Sequence, residues 1–175
     1  MALRHHTLLV ALAVAVVALA APAHADNGSD PCWLWRGLMP ETFEHYYFNL
    51  TAFTSEQRGE AKNDDDIVYV ASLCNYTKGH SSTRTSVYLG IDGTFYSAGD
   101  YRKRQSSQLD GRRGMLVRMA GSDVCRRGVH FSTQFTFKCD SASSKTKYTC
   151  EYDEDKCMLK CKVHSRHACY ILGDP

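Results

Sequence analysis

The chain reads as an all-β, disulfide-stapled domain: a flattened β-barrel or sandwich of two antiparallel sheets. Short runs rich in aromatic and β-branched residues recur along it at roughly regular spacing, and turn-forming residues separate them. Eight cysteines, all C-terminal to residue 26, add covalent bracing.

Residues 1–25 have the parts of a signal peptide. Arg4, His5 and His6 precede an apolar run from Leu8 to Ala20, and Ala23-His24-Ala25 offers small residues at both cleavage-recognition positions. The run is shorter than the ~20 apolar residues a membrane span needs. Residues 26–175 then form one domain, long enough to bury roughly 70% of its unfolded surface.

Asp26 to Asp30 is a polar lead-in, and Trp33 to His45 carries the one stretch with a trace of helical period, interrupted by Pro40. Tyr46 to Phe53 and Ile67 to Leu73 read as strands. The polar stretch between them, Thr54 to Asp66, reads as a loop because of Gly59 and Asp64-Asp65-Asp66. Ser86 to Gly90 and Gly93 to Ser97 form a hairpin about Asp92-Gly93. Tyr101 to Gly114 is a basic, polar spacer. Met115 to Met119, Val129 to Lys138, Lys147 to Tyr152 and Met158 to His164 continue the strands, with a loop tip at Ser141 to Ser144. Within them Phe131, Thr133, Phe135 and Phe137 alternate with Ser132, Gln134, Thr136 and Lys138, the period of a strand with one apolar face.

The 21 Lys and Arg nearly balance the 19 Asp and Glu, and only Arg4 is lost with the leader, so no global charge draws the chain to nucleic acid. No second apolar segment approaches spanning length, so no membrane span is expected after signal removal. An even cysteine count behind a signal peptide implies oxidised pairs, and pattern alone leaves their connectivity open. The expected location is outside the cell or in the lumen of the secretory and endolysosomal pathway. Asn27, Asn49 and Asn75 head glycosylation triplets suited to that compartment.

Three segments together resemble the mannose 6-phosphate receptor homology (MRH) domain, the P-type lectin fold. The first runs from Pro31-Cys32 through Tyr47-Phe48-Asn49-Leu50 to Val70-Ala71-Ser72-Leu73-Cys74. The second is Ser86-Val87-Tyr88 continuing to Gly93-Thr94-Phe95-Tyr96-Ser97-Ala98-Gly99. The third spans Gly121 to Cys169, with Gly128, Ser132-Thr133, Cys139-Asp140, Cys157 and Ala168-Cys169 in the family's order. The resemblance implies a single MRH-like domain over residues 26–175 and disulfides Cys32 with Cys74, Cys125 with Cys157, and Cys139 with Cys169. Cys150 and Cys161, left over in adjacent predicted strands, are expected to pair as an addition specific to this chain.

The family's sugar-binding quartet, a Gln, an Arg, a Glu and a Tyr, is largely missing. Phe131 stands where the Arg belongs, Leu159 where the Tyr belongs, and Tyr88 or Leu89 where the Gln belongs; Glu151 is the nearest heir of the Glu. Phe131 supplies none of the five donors of a guanidinium. The resemblance therefore implies a lectin of degenerate or altered specificity, with Tyr88 and Phe131 as an aromatic lining and His130 and Glu151 as the nearest polar groups. A glycoprotein, an N-glycan or another secretory-pathway protein is the expected partner. The alternatives are a protein-interaction domain without glycan binding and, at the margin, a small secreted hydrolase.

Other patterns read as structural. Cys157, Cys161, His164 and His167 contain metal-ligand residue types, but zinc needs thiolates that an oxidising lumen converts to disulfides, so neither metal nor cofactor is expected. Arg102-Lys103-Arg104, Arg112-Arg113 and Arg126-Arg127 read as solvated loop charges, with a sulfated or phosphorylated glycan as their alternative ligand if the loops converge. The acidic runs at Asp64 to Asp66 and Asp153 to Asp155 lack the spacing of a calcium loop. No nucleophile motif indicates an enzyme.

Overall fold

The computed structural model describes residues 33–39, 42–62, 64–77, 84–109 and 113–173. The expected signal peptide, Asn27, Cys32 and Arg112 lie outside them. The described chain is strand and short 3-10 turn: β1 (Trp33–Leu38), β2 (His45–Asn49), β3 (Gln57–Ala61), β4 (Asp64–Ala71), β5 (Val87–Ile91), β6 (Thr94–Gly99), β7 (Arg104–Gln108), β8 (Gly114–Arg126), β9 (Val129–Cys139), β10 (Lys147–Asp153), β11 (Met158–Ser165) and β12 (Ile171–Leu172). The all-β class holds, and among the described residues no barrel closes.

Two sheets form the sandwich, one ordered β3-β4-β5-β6 and the other β10-β11-β9-β8-β7; a small third sheet, β1-β2-β12, flanks them. Pairing is antiparallel apart from β9 and β11, which run parallel. This departs from the expected pair of purely antiparallel sheets, and its cause is topological. β10 and β11 form an antiparallel hairpin that docks with β11 inward, so β11 runs in the same direction as β9.

Three stretches that lacked a strand pattern are nonetheless strands. The polar residues 54–66 hold β3 and the start of β4, and the basic spacer after Tyr101 holds β7. Both β3 and β7 sit at sheet edges, where alternate residues meet solvent and hydrophobic burial is not needed to hold the pairing. The trace of helical period before His45 corresponds to β1, paired with β2.

The hairpin about Asp92-Gly93 has both turn residues in the left-handed region (φ 50° and 76°), the conformation that a two-residue type I′ loop requires. A second such loop, Arg127-Gly128, joins β8 to β9. On β9 the alternation is realised: Phe131, Thr133, Phe135 and Phe137 are buried. Phe135 and Phe137 pack with Val87, Leu89, Met115, Val117, Leu159 and Val163 in the core between the sheets.

β6 and β8 cross at van der Waals distance. A Cβ on Gly121 would lie 1.9 Å from the Ser97 carbonyl oxygen, so only glycine permits this approach. The Thr133 hydroxyl, fully buried, donates to the Ala98 carbonyl at 2.8 Å and fastens the same crossing. Disulfides join Cys125 to Cys157, Cys139 to Cys169 and Cys150 to Cys161, the pairs expected for those six cysteines. Cys74 is also disulfide-bonded, and its expected partner Cys32 lies outside the described residues.

Candidate functional site

A cavity of about 630 Å³ opens between the sheets where the β5–β6 turn faces the end of the β8–β9 hairpin. Its floor is aromatic. Phe131, the first inward residue of β9, stacks on Tyr96 of β6 with ring centroids 4.7 Å apart and planes 29° from parallel. Ile67 and Ile91, cross-strand partners on β4 and β5, add an aliphatic wall. Register shifts between Ala120 and Arg126 bulge the end of β8, and the Cys125–Cys157 bond ties that bulge to the start of β11.

Carboxylates dominate the rim: Asp66, Asp92 and Glu154 all border the opening. The cation among the lining residues, Arg126, is turned to Asp155, whose backbone carbonyl and carboxylate it contacts. Tyr152 closes one side, its hydroxyl 3.8 Å from the Cys125 sulfur. Burial raises the pKa of that phenol, with Glu154 and Asp153 adding to the effect against the opposing charge of Arg126, so Tyr152 keeps its proton. The cavity can therefore hold an apolar surface against two rings while favouring neutral or cationic groups at its mouth.

Of the residues expected at the site, Phe131 lines this cavity and the other three do not. Tyr88 is 1% exposed and lies on the face of β5 turned away from Val87 and Leu89, opposite Val70. His130 is exposed on the outer face of β9, its Nδ1 3.1 Å from the Ser122 carbonyl oxygen. Glu151 is exposed on the outer face of β10, opposite Lys160. Adjacent residues of a strand point to opposite faces, so His130 and Phe131 cannot share a pocket. The cavity residues Asp66, Ile67, Ile91, Asp92 and Tyr96 went unseen as a group because each served a turn or a strand pattern, and only the sheet register brings them together.

The remaining expectations fall as follows. Asn49 accepts from the Thr51 amide through its side-chain oxygen at 2.9 Å, and exposed Asn75 does the same with the Tyr76 amide at 2.8 Å. Cys157 and Cys161 are both oxidised, so they supply no thiolate to a metal; among the described residues no group of three His, Cys, Asp or Glu side chains is placed to hold one. Arg102 lies over the Tyr76 ring at 5.4 Å and pairs with Asp100 at 3.1 Å. A second concavity, of about 500 Å³, lies beside Gly59, Val68 and Phe95 on the four-stranded sheet.

No protein-family model matches the chain, and no curated protein matches it in sequence. Solved structures do match in shape. Domain 11 of the chicken IGF2R superimposes with a TM-score of 0.54 over 77% of this chain and 90% of that one, at 17% sequence identity. Domain 11 of the echidna mannose 6-phosphate/IGF2R receptor gives a TM-score of 0.55 over 77% and 93%, at 18% identity. Both are MRH domains, and this likeness in shape gives the chain, an all-β sandwich, the MRH fold.

Proposed function

We propose that the protein is a non-catalytic binding module of the secretory pathway, an MRH-type lectin whose sugar site has been remodelled to a different specificity. The observation that carries this reading is the stacked pair Phe131–Tyr96 on the cavity floor, in place of the charged, hydrogen-bonding floor that the family's Arg implies. A stacked aromatic floor suits the apolar face of a sugar ring or a partner's side chain. A phosphomonoester would meet Asp66, Asp92 and Glu154 at the rim, and like charges there oppose its entry.

An affinity column of mannose 6-phosphate tests this directly. The protein is expected in the flow-through, and specific retention with elution by free sugar overturns the remodelled site. A glycan array at neutral and acidic pH then asks which sugars replace the phosphorylated one. An array without specific binders favours a protein-interaction module, a reading supported by Val124, 54% exposed on the cavity rim, and Val129, 44% exposed on the same hairpin. Glycoproteins and other secretory-pathway proteins are the partners either reading selects.

A further inference from the structure

We propose that the outer face of the five-stranded sheet is a binding surface for a linear sulfated polysaccharide, separate from the cavity and independent of what occupies it. Cross-strand register assembles the surface from residues far apart in sequence. Lys147, His164 and Lys138 stand side by side on β10, β11 and β9, each directly opposite the next. One step along, Lys162 lies between Thr149 and Thr136, and a further step brings Lys160, Gln134 and Arg118 into line. Neighbouring strands are about 4.8 Å apart and alternate residues along a strand about 7 Å. Cations therefore recur at intervals that flexible lysine stems can match to successive sulfates.

The face has a polarity. Lys160 is held by Asp153 at 2.5 Å and sits opposite Glu151, which closes the basic array at that end. Toward the other end Lys138, Lys147 and Lys162 are exposed. Exposed Arg113, Lys145 and Arg166 follow in the adjoining turns, and the backbone carbonyl of Arg113 accepts from the Cys139 amide beside Lys138. The chain's near-neutral charge conceals this, because carboxylates stand at the Lys160 end of the face and at the cavity rim instead of among the exposed lysines.

The uncharged residues of the face narrow the ligand class. Between the cations, the outward positions of β8 to β11 hold mainly Thr, Ser, Gln and Ala with no Phe, Tyr or Trp, so nothing there offers the stacking platform that single-stranded nucleic acid uses. Around these cations the larger aliphatics, Leu116 and Met158, are half-buried, and the exposed Val124 lies away at the cavity end of β8, so this part of the face lacks the apolar wedge that inserts into a lipid surface. Hydroxyls and amides between regularly placed cations fit a hydroxyl-rich polyanion instead.

The test uses the full secreted chain on immobilised heparin. Wild-type protein is expected to be retained, and the triple variant Lys138→Gln/Lys147→Gln/Lys162→Gln to bind on the order of tenfold more weakly, with a shallower dependence on salt as fewer counterions are released. The charge-matched control Arg102→Gln/Lys103→Gln/Arg104→Gln removes the linear basic run and should bind like wild type. Far-UV circular dichroism checks that both variants fold, and the single variant Lys162→Gln, with an intermediate loss expected, gives a second reading. Equal loss in triple and control, full retention of the triple variant, equal competition by desulfated heparin, or binding to anionic vesicles without binding to heparin each overturns the proposal. None of these outcomes bears on the cavity, whose reading stands or falls on the mannose 6-phosphate column.

Discussion

Phe131 shows how one side chain decides both packing and specificity. It is buried, stacked on Tyr96, and forms the floor of the cavity, so Phe131→Arg removes that stacking and puts a guanidinium at the floor, beneath the rim carboxylates of Asp66, Asp92 and Glu154. Losing a large buried ring costs on the order of 3 kcal/mol, and desolvating the charge adds to that even where a carboxylate is near. The variant is expected to unfold at lower denaturant and still to pass through a mannose 6-phosphate column, because Leu159 is core and Tyr88 faces away from the cavity. Tyr148 carries a second residue-scale consequence. Burial, with neighbouring Tyr69 adding to it, pushes its phenol up to about 12 from the ordinary 10.0. The folded state thus keeps a proton that the unfolded state releases near pH 10. The stabilisation is complete below that pH and is lost as pH rises from about 10 through 12. Chemical denaturation across that window should show Tyr148→Phe with a flatter decline in stability than wild type; identical slopes would refute the assignment. At this scale the sequence was informative about Phe131, since alternation alone put it on the apolar face of a strand. It was misleading about His130 and Glu151, whose types suggested a polar lining but whose strand parity turns them to solvent.

Among the elements, the β10–β11 hairpin carries a disulfide of its own. Cys150 and Cys161 are directly opposite in register with Cα atoms 4.0 Å apart, both almost wholly buried. The bond closes a short loop, and replacing both residues by alanine is expected to cost about 2 to 3 kcal/mol. A urea titration that shows an unchanged midpoint for Cys150→Ala/Cys161→Ala would falsify that role. Which strands were legible follows from where they sit. β9 buries one face in strict alternation, and the β5–β6 hairpin turns on Asp92-Gly93 in the left-handed region; both signals are written in local sequence. β3, as Gln57-Arg58-Gly59-Glu60-Ala61, and β7, as Arg104-Gln105-Ser106-Ser107-Gln108, are edge strands made almost wholly of polar residues. Nothing in them differs from a loop until a neighbouring strand supplies the hydrogen bonds. The parallel β9–β11 pair was hidden for a related reason: hydrophobic period reports which face is buried, not the direction of the strand alongside.

Across the whole molecule, the three disulfides described share a directional property. Each joins a member of the set Cys125, Cys139 and Cys150 to a member of the set Cys157, Cys161 and Cys169. The middle strand β11 obeys the same order, since it fills the place between β9 and β10 after both have been made. In a chain delivered N-terminus first into an oxidising lumen, the earlier three thiols arrive before any of their native mates, while β9 has a bare edge. Any bond formed among those three during that interval is a wrong one and must be undone by thiol–disulfide exchange. Native pairing of the earlier thiols therefore waits on residues 157–169, and in such a lumen correct bonding is expected to need isomerisation as well as oxidation.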